Sequence, residues 1–274
     1  MSRPDVGADA ARPLADLSER LLQPGAEAPP ALLEALEADN RAGARALARK
    51  LRARAKSREA EAKRLAALLR FEEVLWAQGF TRIAGVDEAG VGPCAGPVVA
   101  GAVILPARYQ LEGLDDSKKV LDPARREALG ACIKADAVAW AVGFSEVEEI
   151  DEVNIYQASL RAMRRAVVGL AVAPDYCLVD ARRIPELATP QKGIVRGDSL
   201  SASIAAASIL AKTTRDAHMA ELDRRYPGWG LAVHKGYPTP DHLARLAEQR
   251  PSPAHRTSFG PVRDALARAS GRNP

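Results

Sequence analysis

The 274-residue chain contains no apolar run near the ~20 residues that a membrane-spanning helix requires; the longest, such as Pro97 to Leu105, fall well short. It has three cysteines, Cys94, Cys132 and Cys177, spaced 38 and 45 residues apart. That spacing excludes a Cys-x-x-Cys metal knuckle and fits no disulfide framework, so buried, small apolar side chains are expected. No Gly-x-Ser-x-Gly elbow and no Gly-x-x-x-x-Gly-Lys-Ser/Thr loop occurs, which removes two common hydrolase and nucleotide-binding classes. The N-terminus shows neither a basic segment leading into an apolar core nor a lipid-anchor motif, and a cytoplasmic location is expected.

What is present suffices for a folded protein. Apolar residues make up 47% and charged residues 27%, enough to bury a sizeable core in one large domain or one domain plus an appendage. The charge is unevenly placed. Arg41 to Arg70 holds eleven Lys/Arg against Glu59 and Glu61, a local +9, so the chain's net +4 leaves −5 for the other 244 residues. A solvated helix face stitched by i, i+4 pairs is one account, but two glutamates cannot neutralise eleven cations. An anionic partner, most commonly a polyphosphate backbone, is the other. The run contains no aromatic residue, so base stacking is not indicated.

Residues 1 to about 30 carry Pro4, Pro13, Pro24, Pro29 and Pro30, a composition expected of a loosely ordered arm. Ala31 to Gln78 is rich in strong helix formers and predicts two or three helices, stopped by Gly79. Beyond it, strands are expected over Arg82–Glu88, Pro97–Leu105, Ala137–Phe144, Tyr176–Asp180 and Gly193–Arg196. Helices are expected over Pro123–Ile133, Asn154–Gly169 and Leu200–Tyr226. The segment Ser201 to Lys212 is almost entirely small or apolar, as befits a helix buried on all sides.

The chemistry is suggested by acids at strand ends. Asp87 and Glu88 are adjacent, close an apolar strand and precede Gly90, Gly92 and Gly96, where absent side chains let a ligand approach the backbone. Neighbours on a strand point to opposite faces, so both carboxylates reach one site only where the strand ends or bulges. Asp180 closes Tyr-Cys-Leu-Val-Asp, and a carboxylate at the end of a core strand is costly unless a cation or donor meets it. Asp198, in Arg-Gly-Asp-Ser, is either a helix cap or a fourth member. If the four converge, they form a hard-oxygen site suited to Mg²⁺ or Mn²⁺, and two such ions can clamp the attacking and leaving oxygens of a phosphodiester. On these grounds alone the expectation goes no further than a metal-dependent phosphodiesterase.

The block Ile-Ala-Gly-Val-Asp-Glu-Ala-Gly-Val-Gly-Pro-Cys-Ala-Gly-Pro-Val-Val-Ala-Gly-Ala-Val-Ile-Leu closely resembles the opening block of bacterial ribonuclease HII. Further blocks resemble that family in order: Asp-Ser-Lys-Lys at 116–119, Glu-Ile-Asp-Glu-Val-Asn-Ile at 149–155, the Gly-Asp-Ser-Leu-Ser segment opening at 197, Thr-Arg-Asp at 214–216, His-Lys-Gly-Tyr-Pro-Thr at 234–239 and His-Arg-Thr-Ser-Phe at 255–259. The resemblance implies an α/β, ribonuclease H-like fold: a mixed five-stranded sheet, antiparallel in its first three strands, flanked by helices over residues 80–265 and followed by a tail at 266–274. It implies metal-dependent cleavage of the RNA strand of RNA–DNA hybrids and of duplex DNA carrying embedded ribonucleotides. Asp87, Glu88, Asp180 and Asp198 would be the metal ligands and catalytic residues. Gly90, Val91, Gly92, Ser117, Lys118, Lys119, Arg196, His234 and Tyr237 would meet the substrate. Residues 1–79 resemble the helical N-terminal extension of some members, expected to add affinity for the duplex without adding chemistry.

One position departs. The family usually has Gly-Arg-Gly where this chain has Gly90-Val91-Gly92, a loop that senses the ribonucleotide together with a tyrosine corresponding to Tyr237. The glycines keep backbone contact with a 2′-hydroxyl possible, but the phosphate-binding guanidinium is gone. Two rivals follow, a binding-only relative and a nuclease that needs no 2′-hydroxyl. Asp216, Trp229 and the lone histidines have structural as well as functional readings. A monomer is expected, with no membrane partner and no protein partner, since the C-terminal Ala-Ser-Gly-Arg-Asn-Pro offers no apolar-aromatic anchor.

Overall fold

The computed structural model describes residues 13–23 and 25–270 and falls into two compact units divided between Arg64 and Leu65. Residues 1–12, Pro24 and the tail from Gly271 lie outside the described residues, and with them most of the expected arm and the C-terminal peptide. Among the described residues no helix is long and apolar enough to cross a membrane.

The first unit is helical. Helix α1 (Leu14–Leu21) occupies part of the stretch expected to be loose, and α2 (Pro30–Ala38) and the long α3 (Ala42–Leu68) follow. Order in α1 comes from Leu17 and Leu21, one turn apart on one face, with Asp16 in the first turn and Arg20 in the last, each at the end that the helix dipole favours. They pack with Leu32, Leu36, Leu47 and Leu51 into a small leucine core. The basic run lies on α3 and is better neutralised than its own two glutamates allow. Arg41 pairs with Asp39 at 2.6 Å, Arg52 with Glu37 and Arg58 with Glu27 at 3.6 Å, all acids from outside the run. Among the described residues Arg49, Lys50 and Lys56 make no ion pair, so a smaller positive surplus survives.

The second unit begins before the expected boundary at Gly79. Leu65 and Leu68, in the last turn of α3, and Leu69 belong to its core, and Leu75 of α4 (Arg70–Ala77) packs with Ile83, Leu178 and Ile204. The strands are β1 (Ile83–Ala89), β2 (Val98–Ile104), β3 (Ala139–Ser145), β4 (Tyr176–Asp180) and β5 (Gln191–Ile194). They form one mixed sheet in the order β3-β2-β1-β4-β5, antiparallel from β3 to β1 and parallel from β1 to β5. Helix α5 (Pro123–Asp136) is capped by Asp122, whose side chain accepts from the Ala124 amide. A short α6 (Val147–Val153) precedes α7 (Ile155–Val168), and Asn154 caps α7 by accepting from the Tyr156 and Gln157 amides rather than belonging to it. Strand β5 ends two residues before its expected limit because Arg196 turns left-handed (φ +57°) into a 3₁₀ turn at Gly197–Ser199.

Helices α7 and α8 (Ala202–Arg225) cover opposite faces of the sheet. Ala84, Val86, Ala100 and Val179 alternate onto the α7 face with Ala158, Ala162 and Met163. On the other face α8 comes so close that a Cβ at Gly85 would stand 2.0 Å from the Ser203 carbonyl carbon, and one at Gly101 2.5 Å from the Ala207 oxygen. Alanine from 205 to 207 on the helix and glycine on the strands are the residues that permit this approach. Every residue from Ala202 to Ala211 is buried. The chain closes with α9 (Leu231–His234), α10 (Pro240–Glu248) and α11 (Gly260–Ala269), the last running beyond the limit of 265 expected for the catalytic domain.

Deleting residues 1–64 is expected to leave a cooperatively folding protein. Deleting residues 1–79 also removes Leu65, Leu68, Leu69 and Leu75, buried leucines worth about 2–5 kcal/mol each when truncated, and is expected to abolish the folding transition. Urea unfolding followed by circular dichroism distinguishes the two, and equal stability of the two truncations would contradict this boundary.

Candidate active site

Parallel pairing sets Val86 of β1 beside Val179 of β4, so Asp87 and Asp180, one residue further on, lie level at the carboxyl ends of adjacent strands. That edge is where open sheets of this kind place their ligands. Asp87 faces the α8 side with Gly85, and Asp180 shares the side of Leu178, which packs on Ile204 of α8. Asp198, in the 3₁₀ turn that leads into α8, completes the group, and the Asp180 carboxylate accepts from the Gly197 amide at 2.7 Å. Glu88 stands on the opposite, α7 side. Strand β1 runs on to Ala89, so the expected strand end that would bring Asp87 and Glu88 to one side does not occur; they straddle the strand.

The site is electrostatically strained. Burial, reinforced by the charges of Glu88 and Asp180, pushes the Asp87 carboxyl well above the usual carboxylate range; the Ser208 hydroxyl and the Glu88 amide only partly oppose this. Burial likewise raises Glu88 and Asp180. Asp87 Oδ2 and Glu88 Oε2 are buried without a hydrogen-bond partner. Two cations reside among these acids. Lys118 Nζ lies 3.3 Å from Asp198 Oδ2 and 3.9 Å from Asp116 Oδ1, and Arg182 Nη2 lies 3.2 Å from Glu88 Oε1.

Orphaned carboxylate oxygens, mutual repulsion and an all-oxygen donor set suit a hard divalent ion. In this conformation no three His, Cys, Asp or Glu side chains among the described residues are arranged to hold one ion. Two of the acids are held by resident cations, Glu88 by Arg182 and Asp198 by Lys118.

The glycine loop is held from behind by two buried arginines that sequence reading did not single out. Arg256 donates to the carbonyls of Gly90, Val91, Pro93 and Gly96, at 2.6 to 3.2 Å, and Arg215 to those of Ala95, Pro97 and Lys235, at 3.0 to 3.1 Å. Desolvation lowers Arg256 to about 9 and Arg215 to about 10, so both stay charged at neutral pH. A peptide's C=O and the N–H that follows point in opposite directions. Carbonyls of Gly90 and Val91 turned toward Arg256 therefore turn the amides of Val91 and Gly92 away from it, and among the described residues neither amide has an acceptor. Gly92 faces Tyr237, whose ring carbon Cε1 lies 3.6 Å from where a Cβ would stand, and Tyr237 is 46% exposed.

The remaining expected residues divide. Lys119 reaches Asp115 at 3.1 Å and the Ser199 hydroxyl at 3.0 Å, beside Asp198. Arg196 is exposed on the same turn. Ser117 is buried, its hydroxyl bonded to that of Ser208 at 2.8 Å, so it supports the site from within the fold. His234 has no free ring nitrogen: Nδ1 accepts from the Gly236 amide and Nε2 donates to the Trp229 carbonyl. Asp216 pairs with Lys212 at 2.6 Å and Arg126 at 3.5 Å, and Trp229 is core. Cys94 and Cys177 are buried as expected, but Cys132 is exposed, on the outer side of α5.

Three of the four histidines form one relay behind Tyr237. The Tyr237 carbonyl can only accept, so His242 Nδ1 carries the proton and its Nε2 must accept from His255 Nε2 at 3.0 Å; His255 Nδ1 accepts from the Ser252 amide. His234 stacks on His242 with centroids 4.1 Å apart. Burial holds His242 and His255 below the ordinary imidazole value.

Comparison with known proteins follows the same lines. The ribonuclease HII family model matches residues 84–262, and that of the ribonuclease HII N-terminal domain residues 14–76. Ribonuclease HII of Myxococcus xanthus is 62% identical over 95% of this chain and 89% of its own length, and that of Anaeromyxobacter sp. 54% identical over 93% and 81%. The crystal structure of ribonuclease H2 from Pyrococcus horikoshii superposes with a TM-score of 0.60 at 26% identity, over 69% of this chain and 98% of that one. The fold and its carboxylate edge define a nuclease of the ribonuclease H-like class. Within that class, the chain belongs to the ribonuclease HII family.

Two outcomes are expected. A carboxyl with a raised folded-state pKa destabilises the fold while ionised, so in chelator stability rises as pH falls from neutral; Asp87→Asn should stabilise the protein at pH 7.5 by about 1–2 kcal/mol and abolish any gain in melting temperature from Mn²⁺. A less stable variant would contradict the repulsion. The imidazoles act with opposite sign. Desolvation lowers His255 from 6.5 to about 4, so its contribution is complete above 6.5 and lost as pH falls toward 4. In urea titrations His255→Gln should lose less stability than wild type between pH 7 and 5; parallel pH profiles would remove the relay.

Proposed function

We propose that the protein is an endoribonuclease that hydrolyses the RNA strand of RNA–DNA hybrids and nicks 5′ of ribonucleotides embedded in duplex DNA, leaving a 3′-hydroxyl and a 5′-phosphate. The observation that carries this reading is the juxtaposition, in a ribonuclease HII family member, of strand-end carboxylates with a glycine loop whose Val91 and Gly92 amides have no acceptor among the described residues and whose Gly92 lies beside Tyr237. Asp87, Glu88, Asp180 and Asp198 would hold two Mg²⁺ or Mn²⁺ ions, which supply an activated water and charge stabilisation at the scissile phosphate.

The chain's own residues account for substrate choice. The 2′-hydroxyl is the one sugar group that distinguishes RNA from DNA, and both donates and accepts. Unengaged amides at Val91 and Gly92 offer it donors that a deoxyribose cannot use. Tyr237, half exposed beside Gly92, presents a flat apolar face to the neighbouring sugar or base. Lys118, Lys119 and Arg196 surround Asp198 and would contact phosphates as point charges or forks. His234, with both nitrogens engaged, holds the Tyr237 loop and transfers no proton.

The decisive assay is cleavage of a duplex carrying one ribonucleotide, beside an all-DNA control, with Mg²⁺, Mn²⁺ or chelator. Metal-dependent nicking 5′ of the ribonucleotide is expected, with a loss of at least about a hundredfold in Asp87→Asn, the scale of losing a directly involved electrostatic group. Cleavage of the all-DNA duplex would instead favour a nuclease blind to the 2′-hydroxyl, and binding without nicking a binding-only relative. Val91→Arg should tighten duplex binding and steepen its salt dependence by about one counterion; identical salt slopes would show that position 91 meets no phosphate.

A further inference from the structure

The α7 side of the carboxylate cluster is closed by Arg182, a residue that neither the motifs nor the family resemblance singles out. It lies in the turn after β4, where Ala181 adopts a left-handed conformation (φ +49°) and its amide donates to the Ile194 carbonyl at 2.9 Å. This turn folds the chain back so that Arg182 reaches Glu88 on the neighbouring strand. The guanidinium also lies over the Tyr156 ring, with Cζ 5.0 Å from the centroid. The pair is largely desolvated, with side chains 19% and 10% exposed. It is also half-made: Arg182 Nη1 and Glu88 Oε2 are both buried and unpartnered, so the two-armed geometry that gives an arginine–carboxylate pair its strength is missing.

We infer that Arg182 is a resident counter-ion that competes with a divalent ion for Glu88 and so sets the metal concentration at which the site fills. The inference rests on the reading of Glu88 as a metal ligand. Without metal, the guanidinium offsets the charge of a buried glutamate whose ionisation is otherwise opposed by burial and by Asp180. Ligation requires Glu88 to give the guanidinium up, and apparent affinity falls by the fraction of protein in which Glu88 is already released. Tyr156 keeps the displaced cation close, because its face binds the guanidinium whether or not the carboxylate does. Lys118 has the matching position toward Asp198 but is 75% exposed and has no aromatic platform, so it yields more readily.

The test is calorimetric titration of the full-length chain with Mn²⁺, without nucleic acid, alongside thermal melts in chelator and in Mn²⁺. Arg182→Gln is expected to bind Mn²⁺ about fivefold more tightly than wild type, the scale of one net hydrogen bond. It should melt lower in chelator and gain more on adding Mn²⁺. Arg182→Lys, which keeps the charge, should stay near wild type, and Tyr156→Leu should move part of the way toward Arg182→Gln. If Arg182→Gln does not fold, the last two variants carry the comparison. Equal or weaker Mn²⁺ binding by Arg182→Gln, or by Tyr156→Leu in that case, overturns the counter-ion role while leaving the metal site standing. Absence of Mn²⁺ binding by wild type overturns the metal reading and this inference with it.

Discussion

Everything at the active edge depends on how closely α8 lies on the sheet. Gly85 of β1 and Gly101 of β2 admit the helix backbone to distances no side chain would allow. From that single docking, Asp198 at the entry to the helix, Ser208 two turns along it and Arg215 another two turns on are placed in one operation against Asp87, Ser117 and the glycine loop. A helix packed through larger side chains would stand several ångströms further out, and the Asp198 carboxyl would no longer share a field with Asp180. Glu72 reinforces the entry: buried in α4, it accepts from the Ser201 and Ser203 hydroxyls and the Ser203 amide with one oxygen, satisfying donors at the start of α8 that would otherwise be orphaned.

The second constraint is polar. Burying two guanidinium groups without a carboxylate partner is costly, and the fold offsets it by turning seven carbonyls onto them. The consequence is directional. A loop held through its carbonyls presents the amides of Val91 and Gly92 elsewhere, so Arg256 sets which backbone groups the loop leaves unengaged. The bridge between Ala95 and His255, and the Cys94 amide donating to the Gly236 carbonyl, tie the same loop to the segment carrying Tyr237. Loop and tyrosine are therefore one rigid feature assembled from three distant parts of the chain.

Much of this was legible in the sequence, for identifiable reasons. Strand β4 was delimited to the residue because Tyr-Cys-Leu-Val-Asp is bounded by a proline turn and an acid, and the buried half of α8 announced itself by composition. Asp87, Asp180 and Asp198 stood out because carboxylates beside core strands need an explanation. The straddling of β1 by Asp87 and Glu88 was not legible, since it depends on pairing that continues to Ala89. Arg182, Arg215 and Arg256 were invisible for a general reason: an arginine's letter does not say whether it faces water, and only the arrangement of carbonyls around it does. The expected extension to residue 79 accords with the N-terminal-domain family match over residues 14–76, whereas compactness divides the chain at Leu65, inside the continuous helix α3, because the apolar stripe that opens there packs into the second unit.

The orientation of Glu88 bears on how such a site can be both stable and reactive. Four carboxylates drawn together without compensation would weaken the fold, yet a site neutralised by permanent ion pairs would not bind metal. The structure divides the two demands between the faces of one strand. Asp87 and Asp180 remain on the α8 face, where burial raises their carboxyls above the usual range, while Glu88 lies on the α7 face beside a guanidinium that holds it by one arm. Of the four acids, Glu88 is the one held on that face. Arg182, which holds Glu88 there, and Tyr156, over which the guanidinium lies, are both outside the glycine loop, so the residues that restrain this carboxylate and those that shape the loop are separate sets.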